Sequence, residues 1–280
     1  MYKKKNRVAI MYDFDKTLTD KDMQEYSLIP ELGYDNPGKF WSEVTKLKID
    51  NNMDGILAYL FWLLKKSNDA ERPIRKKDFE ILGKDVQFFP GVLTWFDRIN
   101  EIGKSLDLEI EHYIISSGMK EIIDGSPISK YFKKIYACRY YYDINGVAKW
   151  PSLVVNYTTK TQYIFRINKG VLDEYEDEKL NEYVDDSERP IPFKRMIYVG
   201  DGMTDVPCMK LVKEYGGKSI AVFNPDVKKT YDLSKKLVDD GRANYMCEAN
   251  YETNGSMENL FKKILNYIAY DEALDKDKYV

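Results

Sequence analysis

The chain has 280 residues, 44% of them apolar and 14% aromatic, enough to bury a large core as one big domain or two smaller ones, which excludes a disordered segment. A formal net charge of −3 argues against a general nucleic-acid or anionic-membrane surface, which needs clustered excess positive charge, and points to a small partner instead. A single histidine, His112, and three scattered cysteines without CxxC spacing (Cys138, Cys208 and Cys247) exclude a multi-histidine metal site, a disulfide framework and a thiolate zinc site.

In chain order, Lys3-Lys4-Lys5 reads as a solvated terminus. The apolar run 8–12 reads as a buried strand, and it delivers Asp13-Phe14-Asp15-Lys16-Thr17 at its end. Residues two apart on a strand share a face, so Asp13 and Asp15 point together while Phe14 points into the core. From 20 to 85 the pattern is helical. Phe40, Trp41, Val44 and Leu47 fall on one face, and Met53, Ile56, Leu57, Leu60, Phe61 and Leu64 on another. Breaks are expected at Pro30, at Asp35-Asn36-Pro37-Gly38 and near Pro73. Phe40, Trp41, Tyr59 and Trp62 in this stretch read first as helix core, with a pocket lining as the other reading. The longest apolar run, 56–64, is too short to span a bilayer. The strand-like start leaves no room for a signal peptide, and the unpaired cysteines suit a reducing compartment, so a cytoplasmic protein is expected.

Phe88-Phe89-Pro90-Gly91 opens a helix carrying Val92, Trp95, Phe96, Ile99 and Ile102. A strand over 109–116 follows, ending in Ser116-Ser117-Gly118. Two strands, 135–142 and 147–155, flank Asp143-Ile144-Asn145-Gly146, a hairpin signal, and Trp150-Pro151 marks the second as an edge strand. Alternating burial accounts for at least two of Tyr140, Tyr141 and Tyr142. Lys160 opens a helix with Tyr163, Ile164, Ile167 and Val171 on its apolar side, and the acid-rich stretch 173–188 reads as a solvated segment. A short strand over 195–199 delivers Gly200-Asp201-Gly202-Met203-Thr204-Asp205 and then a helix to about 215. A strand at 218–223, a helix from about 226, an apolar segment near Tyr245-Met246 and a terminal helix with Leu260, Phe261, Ile264 and Ile268 complete the chain. Alternating strands and helices predict an α/β fold: a Rossmann-like parallel-sheet core with helices on both faces, a β-hairpin insertion and a small all-helical insert.

Four polar signatures therefore sit at strand tips or helix starts: Asp13-Phe14-Asp15-Lys16-Thr17, Ser116-Ser117-Gly118, Lys160, and Gly200-Asp201-Gly202-Met203-Thr204-Asp205. Their order and types resemble the haloacid dehalogenase superfamily, in particular its phosphoserine phosphatase-like branch with a helical cap between the first and second motifs. The resemblance covers nearly the whole chain. It implies a catalytic core over 1–19 and 86–280 and a cap over 20–85.

What it implies chemically is phosphomonoester hydrolysis. Asp13 is the expected nucleophile, forming an aspartyl-phosphate that splits a difficult displacement into two easier ones. Asp15 is the expected general acid and base. One Mg²⁺ would be held by Asp13, Asp201 and the backbone carbonyl of Asp15, with Asp205 behind them. Thr17, Ser116, Ser117 and Lys160 are the expected phosphate-binding groups. Lys149 and Lys169 compete with Lys160, which is preferred because it opens the helix preceding the fourth motif. Gly200 and Gly202 are expected to make room for the turn at Asp201, and the helix start after Gly118 to offer backbone N–H groups. Thr204 stands where relatives often carry Asn. His112 and Cys208 are expected to be packing residues. The same residues would serve a phosphotransferase or phosphomutase, and a non-catalytic binding protein of this fold is the alternative from another class.

Overall fold

The first strand is apolar throughout because both of its faces are covered, as parallel strands in an α/β sheet require. The computed structural model describes residues 6–276, so Lys3-Lys4-Lys5 lie outside the described residues. Among the described residues seven strands form one sheet in the order β4-β3-β2-β1-β5-β6-β7. These are β1 (Arg7–Tyr12), β2 (Glu109–Met119), β3 (Phe132–Tyr142), β4 (Ala148–Leu153), β5 (Met196–Gly200), β6 (Lys218–Phe223) and β7 (Tyr245–Glu248). Every pairing is parallel except β3 with β4, which is antiparallel, so β4 is the edge strand that Pro151 requires. After β1 the chain goes first to β2 on one side and later to β5 on the other. This reversal opens a crevice at the carboxyl end of β1, the usual ligand position in such sheets.

Between β1 and β2 stand α1 (Leu28–Glu31), α2 (Pro37–Asp50), α3 (Gly55–Asp69) and α4 (Lys76–Leu82), preceded by a 3₁₀ turn at Met23–Glu25, and α5 (Val92–Ser105) then leads into β2. Pro30 lies inside the first turn of α1 and does not break it, because an N–H there would have no intrahelical partner anyway. The other helices are α6 (Lys120–Gly125), α7 (Lys160–Lys169), α8 (Asp177–Asn181), α9 (Val206–Glu214), α10 (Lys228–Asp239) and α11 (Ser256–Lys276). Strand β2 runs on through Met119, so α6 starts one residue later than the sequence suggests and is only six residues long. The acid-rich stretch is largely solvated, with α8 its one short helix.

The helices over 28–82 branch from the core at one place. Thr19 and Phe88 form a bridge, and the Phe89 N–H donates to the Leu18 carbonyl at 3.0 Å, so the departing and returning segments lie side by side. The β3–β4 hairpin supports this helical insert from outside. Arg75 bridges to Val147, the Arg75 guanidinium donates to the Asn145 carbonyl (3.0 Å), and the buried Tyr140 hydroxyl donates to the Leu60 carbonyl at 2.6 Å. Helix α4 packs on α6 at backbone distance. A Cβ at Gly83 would come within 2.2 Å of the Ile122 carbonyl oxygen, and one at Gly125 within 1.9 Å of the Glu80 oxygen.

The buried face of α3 differs from the one expected. Ala58, Tyr59, Leu60, Leu63 and Ser67 are buried, while Phe61 is exposed and joins Met53, Leu57, Leu64 and Trp150 along an outer groove. The first ten residues of this helix are apolar on nearly every side, so periodicity cannot choose the inward face. Phe14 is fully buried against Phe88, as expected, and Tyr140 is buried while Tyr141 is exposed. His112 and Cys208 are buried in the core. No helix among the described residues is long and apolar enough to cross a membrane.

Candidate active site

Strand β1 ends where Asp13 donates its backbone N–H to the Val199 carbonyl (2.9 Å), which ties the tip of β1 to β5. The next turn closes tightly: the Leu18 N–H reaches the Phe14 carbonyl at 2.9 Å, and Lys16 takes a positive φ of 57°. Asp13 and Asp15 thus emerge on the same side and line one cavity of about 480 Å³. Ser116, Ser117, Asp201, Gly202, Met203 and Thr204 line it from the tips of β2 and β5. Lys160 reaches the site from the start of α7.

Lys160 is fully buried, its ammonium 3.1 Å from Asp13 Oδ1 and 2.8 Å from Asp205 Oδ1. Its two competitors are elsewhere: Lys149 pairs with Asp143, and Lys169 donates to the Leu180 and Glu182 carbonyls. Asp205 Oδ1 also accepts from the Tyr198 hydroxyl (2.7 Å), and its other oxygen faces the Gly202 N–H at 3.3 Å. A Cβ on Gly200 would lie 2.5 Å from the Asp205 carboxyl carbon, so only glycine fits there. Gly202 is different. Its backbone is extended and a Cβ would meet nothing within 4 Å, so the turn imposes no steric demand at that position.

Burial and neighbouring carboxylates raise the proton affinity of Asp13, Asp15 and Asp201. Burial, then Asp205, pushes Asp13 up to about 7, against the pull of Lys160. Burial, then Asp22 and Asp13, holds Asp15 well above the ordinary carboxylate range. Asp201 is raised by burial, then by Asp205 and Asp13. For Lys160, burial disfavours the charge, but Asp13 and Asp205 outweigh it and its pKa rises. Oxygen atoms of Asp13, Asp201 and Asp205 lie within 4.8 Å of one another, an arrangement able to hold a metal ion.

The remaining expected residues separate. Ser116 is buried and its Oγ accepts from the Gly118 N–H at 3.0 Å, whereas the Ser117 Oγ is buried without a hydrogen-bond partner. Thr17 is fully buried with an unpartnered hydroxyl and lies outside the cavity lining; its carbonyl accepts from Tyr251 at 2.8 Å. Of the four aromatic residues singled out in the insert, Trp41 and Tyr59 line the cavity. Phe40 is in the core, and Trp62 turns outward toward Glu43 and Lys66. Lys16, Asp22, Gln24, Thr45 and Lys48 also line the cavity and were not singled out by sequence. Only Lys16 carried a signal, its place between the two motif residues Asp15 and Thr17.

The chain is similar to known proteins over most of its length. The family model described as "Putative Phosphatase" matches residues 8–240. An uncharacterized protein of Borreliella burgdorferi is 31% identical over 92% of this chain and 96% of its own. Among solved structures, a HAD family hydrolase from Salmonella enterica serovar Typhi superposes with a TM-score of 0.59 at 17% identity, covering 92% of this chain and 71% of that one. A phospho-aspartyl intermediate analogue of phosphoserine phosphatase superposes with a TM-score of 0.54 at 15% identity, covering 92% and 99%. At these identities the two structures establish a shared fold.

Proposed function

We infer that this chain, which belongs to the "Putative Phosphatase" family, is a phosphomonoesterase of the haloacid dehalogenase type that acts on a small phosphorylated substrate through Asp13. The observation that carries this reading is the pair Asp13 and Asp15 at one strand tip, with the buried Lys160 ammonium 3.1 Å from Asp13. In the first step an Asp13 carboxylate oxygen attacks phosphorus. The phosphorus–ester oxygen bond breaks, and Asp15 gives its proton to the leaving oxygen. In the second step the Asp15 carboxylate takes a proton from water, the water oxygen attacks phosphorus, and phosphate and the Asp13 carboxylate are released. The raised pKa of Asp15 suits the first of these roles, since burial favours its protonated form.

Lys160 favours the ionised form of Asp13 and offers charge to the phosphoryl group, with Ser116 and Ser117 hydroxyls on the β2 side. Asp13, Asp201 and the Asp15 carbonyl fit a hard divalent cation such as Mg²⁺: the donors are all oxygen, and the clustered acids, with pKa values raised by burial and mutual repulsion, call for positive charge. When bound, such an ion would neutralise phosphate charge. Asp205 is the less suited ligand because Lys160 and Tyr198 already occupy its Oδ1; its role is to hold Lys160 in place. The helical insert over 20–85 acts as the cap, closing the cavity with Trp41 and Tyr59 and excluding bulky phosphoproteins.

Hydrolysis of a generic aryl phosphate, assayed with Mg²⁺ and with EDTA, tests this reading. Activity is expected with the metal, loss on chelation, and loss in Asp13→Asn. Inactivity of the wild type across a broad phosphomonoester panel, or full activity of Asp13→Asn, would overturn it.

A further inference from the structure

Gln24 brings into the cavity a buried polar atom that the chemistry at phosphorus does not use. Gln24 is only 2% exposed and lines the cavity, and its Oε1 is buried with no hydrogen-bond partner. The orientation of its amide follows from its neighbours. The Tyr59 hydroxyl donates its proton to the Ser117 carbonyl at 3.0 Å, so the phenol oxygen is left only as an acceptor. Gln24 faces that oxygen and lowers the Tyr59 pKa, the direction a donor gives, so the amide nitrogen is the end turned toward Tyr59. The atom left over is the carbonyl oxygen, an acceptor. A buried acceptor without a donor costs on the order of 1–3 kcal/mol, and a ligand that supplies the donor removes that cost.

The place of Gln24 says which part of a ligand it meets. The preceding residue, Met23, donates its N–H to Asp15 Oδ1 at 2.7 Å. Gln24 therefore enters the cavity beside the carboxyl group assigned to protonate the leaving oxygen, while Lys160 approaches from α7 beside Asp13. We propose that Gln24 is a specificity-determining residue, selecting phosphomonoesters whose leaving group carries an O–H or N–H donor that binds its Oε1. Tyr59 is a positioning residue that fixes the amide through the Ser117 carbonyl. This rests on the phosphomonoesterase reading above and deepens it.

Three near-isosteric substrates separate the possibilities: 2-hydroxyethyl, 2-aminoethyl and propyl phosphate. With wild type, kcat/KM for at least one donor-bearing ester should exceed that for propyl phosphate by roughly 10–100-fold, and the better of the two identifies a hydroxyl or an ammonium as the donor. In Gln24→Leu the ratio should collapse toward unity, and Gln24→Glu should shift preference toward the ammonium ester. Tyr59→Phe should lower the ratio through KM more than kcat. Thermal melts establish that each variant is folded, and the wild-type ratio stands independently of them. Hydrolysis of all three esters without discrimination, or a ratio unchanged in folded Gln24→Leu, overturns the role of Gln24 alone. Hydrolysis of none, on a panel where no phosphomonoester is cleaved, overturns the phosphomonoesterase reading with it.

Discussion

Replacing Lys160 by Met removes a cation buried between Asp13 and Asp205. The side chain is fully enclosed, 3.1 Å from Asp13 Oδ1 and 2.8 Å from Asp205 Oδ1, so its loss strands two carboxylates at once. Breaking a buried pair by deleting one partner costs roughly 3–5 kcal/mol. At about 2–4 °C per kcal/mol for chains near this size, Tm should fall by roughly 6–20 °C in metal-free buffer. Removing the lysine also removes a group that lowers the Asp13 pKa, which already lies at about 7, so the deficit should grow as pH rises and Asp13 is forced to ionise. Adding Asp205→Asn to the variant removes one stranded charge and should recover part of the loss. Aryl phosphate hydrolysis by the single variant should drop at least ~10²-fold, the scale of losing a preorganised charge at a reacting oxyanion. Thermal melts across pH with parallel rate measurements provide the assay. A Tm change under about 2 °C, or activity within tenfold of wild type, would refute the placement of Lys160 as the charge partner of Asp13.

Asp15→Asn should lower turnover by roughly 10²–10⁴-fold, while the amide oxygen keeps the bond from the Met23 N–H. Because the folded state raises the Asp15 pKa, its ionisation opposes folding at high pH; the variant should therefore melt higher than wild type in metal-free buffer above neutrality and not at pH 3, by calorimetry. Gly200→Ala should destabilise by about 1–3 kcal/mol in chemical denaturation, since its Cβ would meet an Asp205 carboxyl group held by Lys160 and Tyr198 and unable to yield. Gly202→Ala, with open space around it, should change stability by less than about 0.5 kcal/mol. His112 is buried neutral: Trp95 donates to the Tyr12 oxygen (2.9 Å), Tyr12 to Nδ1 (3.2 Å), and Nε2–H to Asn100 (3.0 Å). Burial lowers its pKa from 6.5 to about 3, so on acidification the unfolded chain takes up a proton the folded one refuses. Between those values this residue should cost up to about 1.4 kcal/mol of stability per pH unit. Urea melts of His112→Gln should show a flatter acid limb than wild type, and parallel curves would contradict the assignment.

The parallel sheet was legible because its strands are short apolar runs with polar signatures at their ends, and the gathering of Asp13, Asp15, Lys160 and Asp201 in one place was legible because those signatures all sit at strand tips or a helix start. What escaped depends on contacts distant in sequence. Tyr140 supports Leu60 across 80 positions, and nothing local in the hairpin announces that it holds the inserted helices. Helix α3 is apolar almost all round, so its inward face is chosen by what it packs on. Gln24 sits in a single 3₁₀ turn without periodicity, and its significance appears only when Tyr59 and Ser117 fix which end of its amide is unpartnered. Gly202 shows the opposite error: it was given the steric reason that belongs to Gly200 alone.

The most direct test is to quench the enzyme with acid during turnover of a phosphomonoester and map covalent phosphate by peptide mass spectrometry. Phosphate on the peptide bearing Asp13, lost in Asp13→Asn along with activity, is the predicted result. Phosphate on another side chain, or undiminished turnover by Asp13→Asn, would contradict Asp13 as the nucleophile.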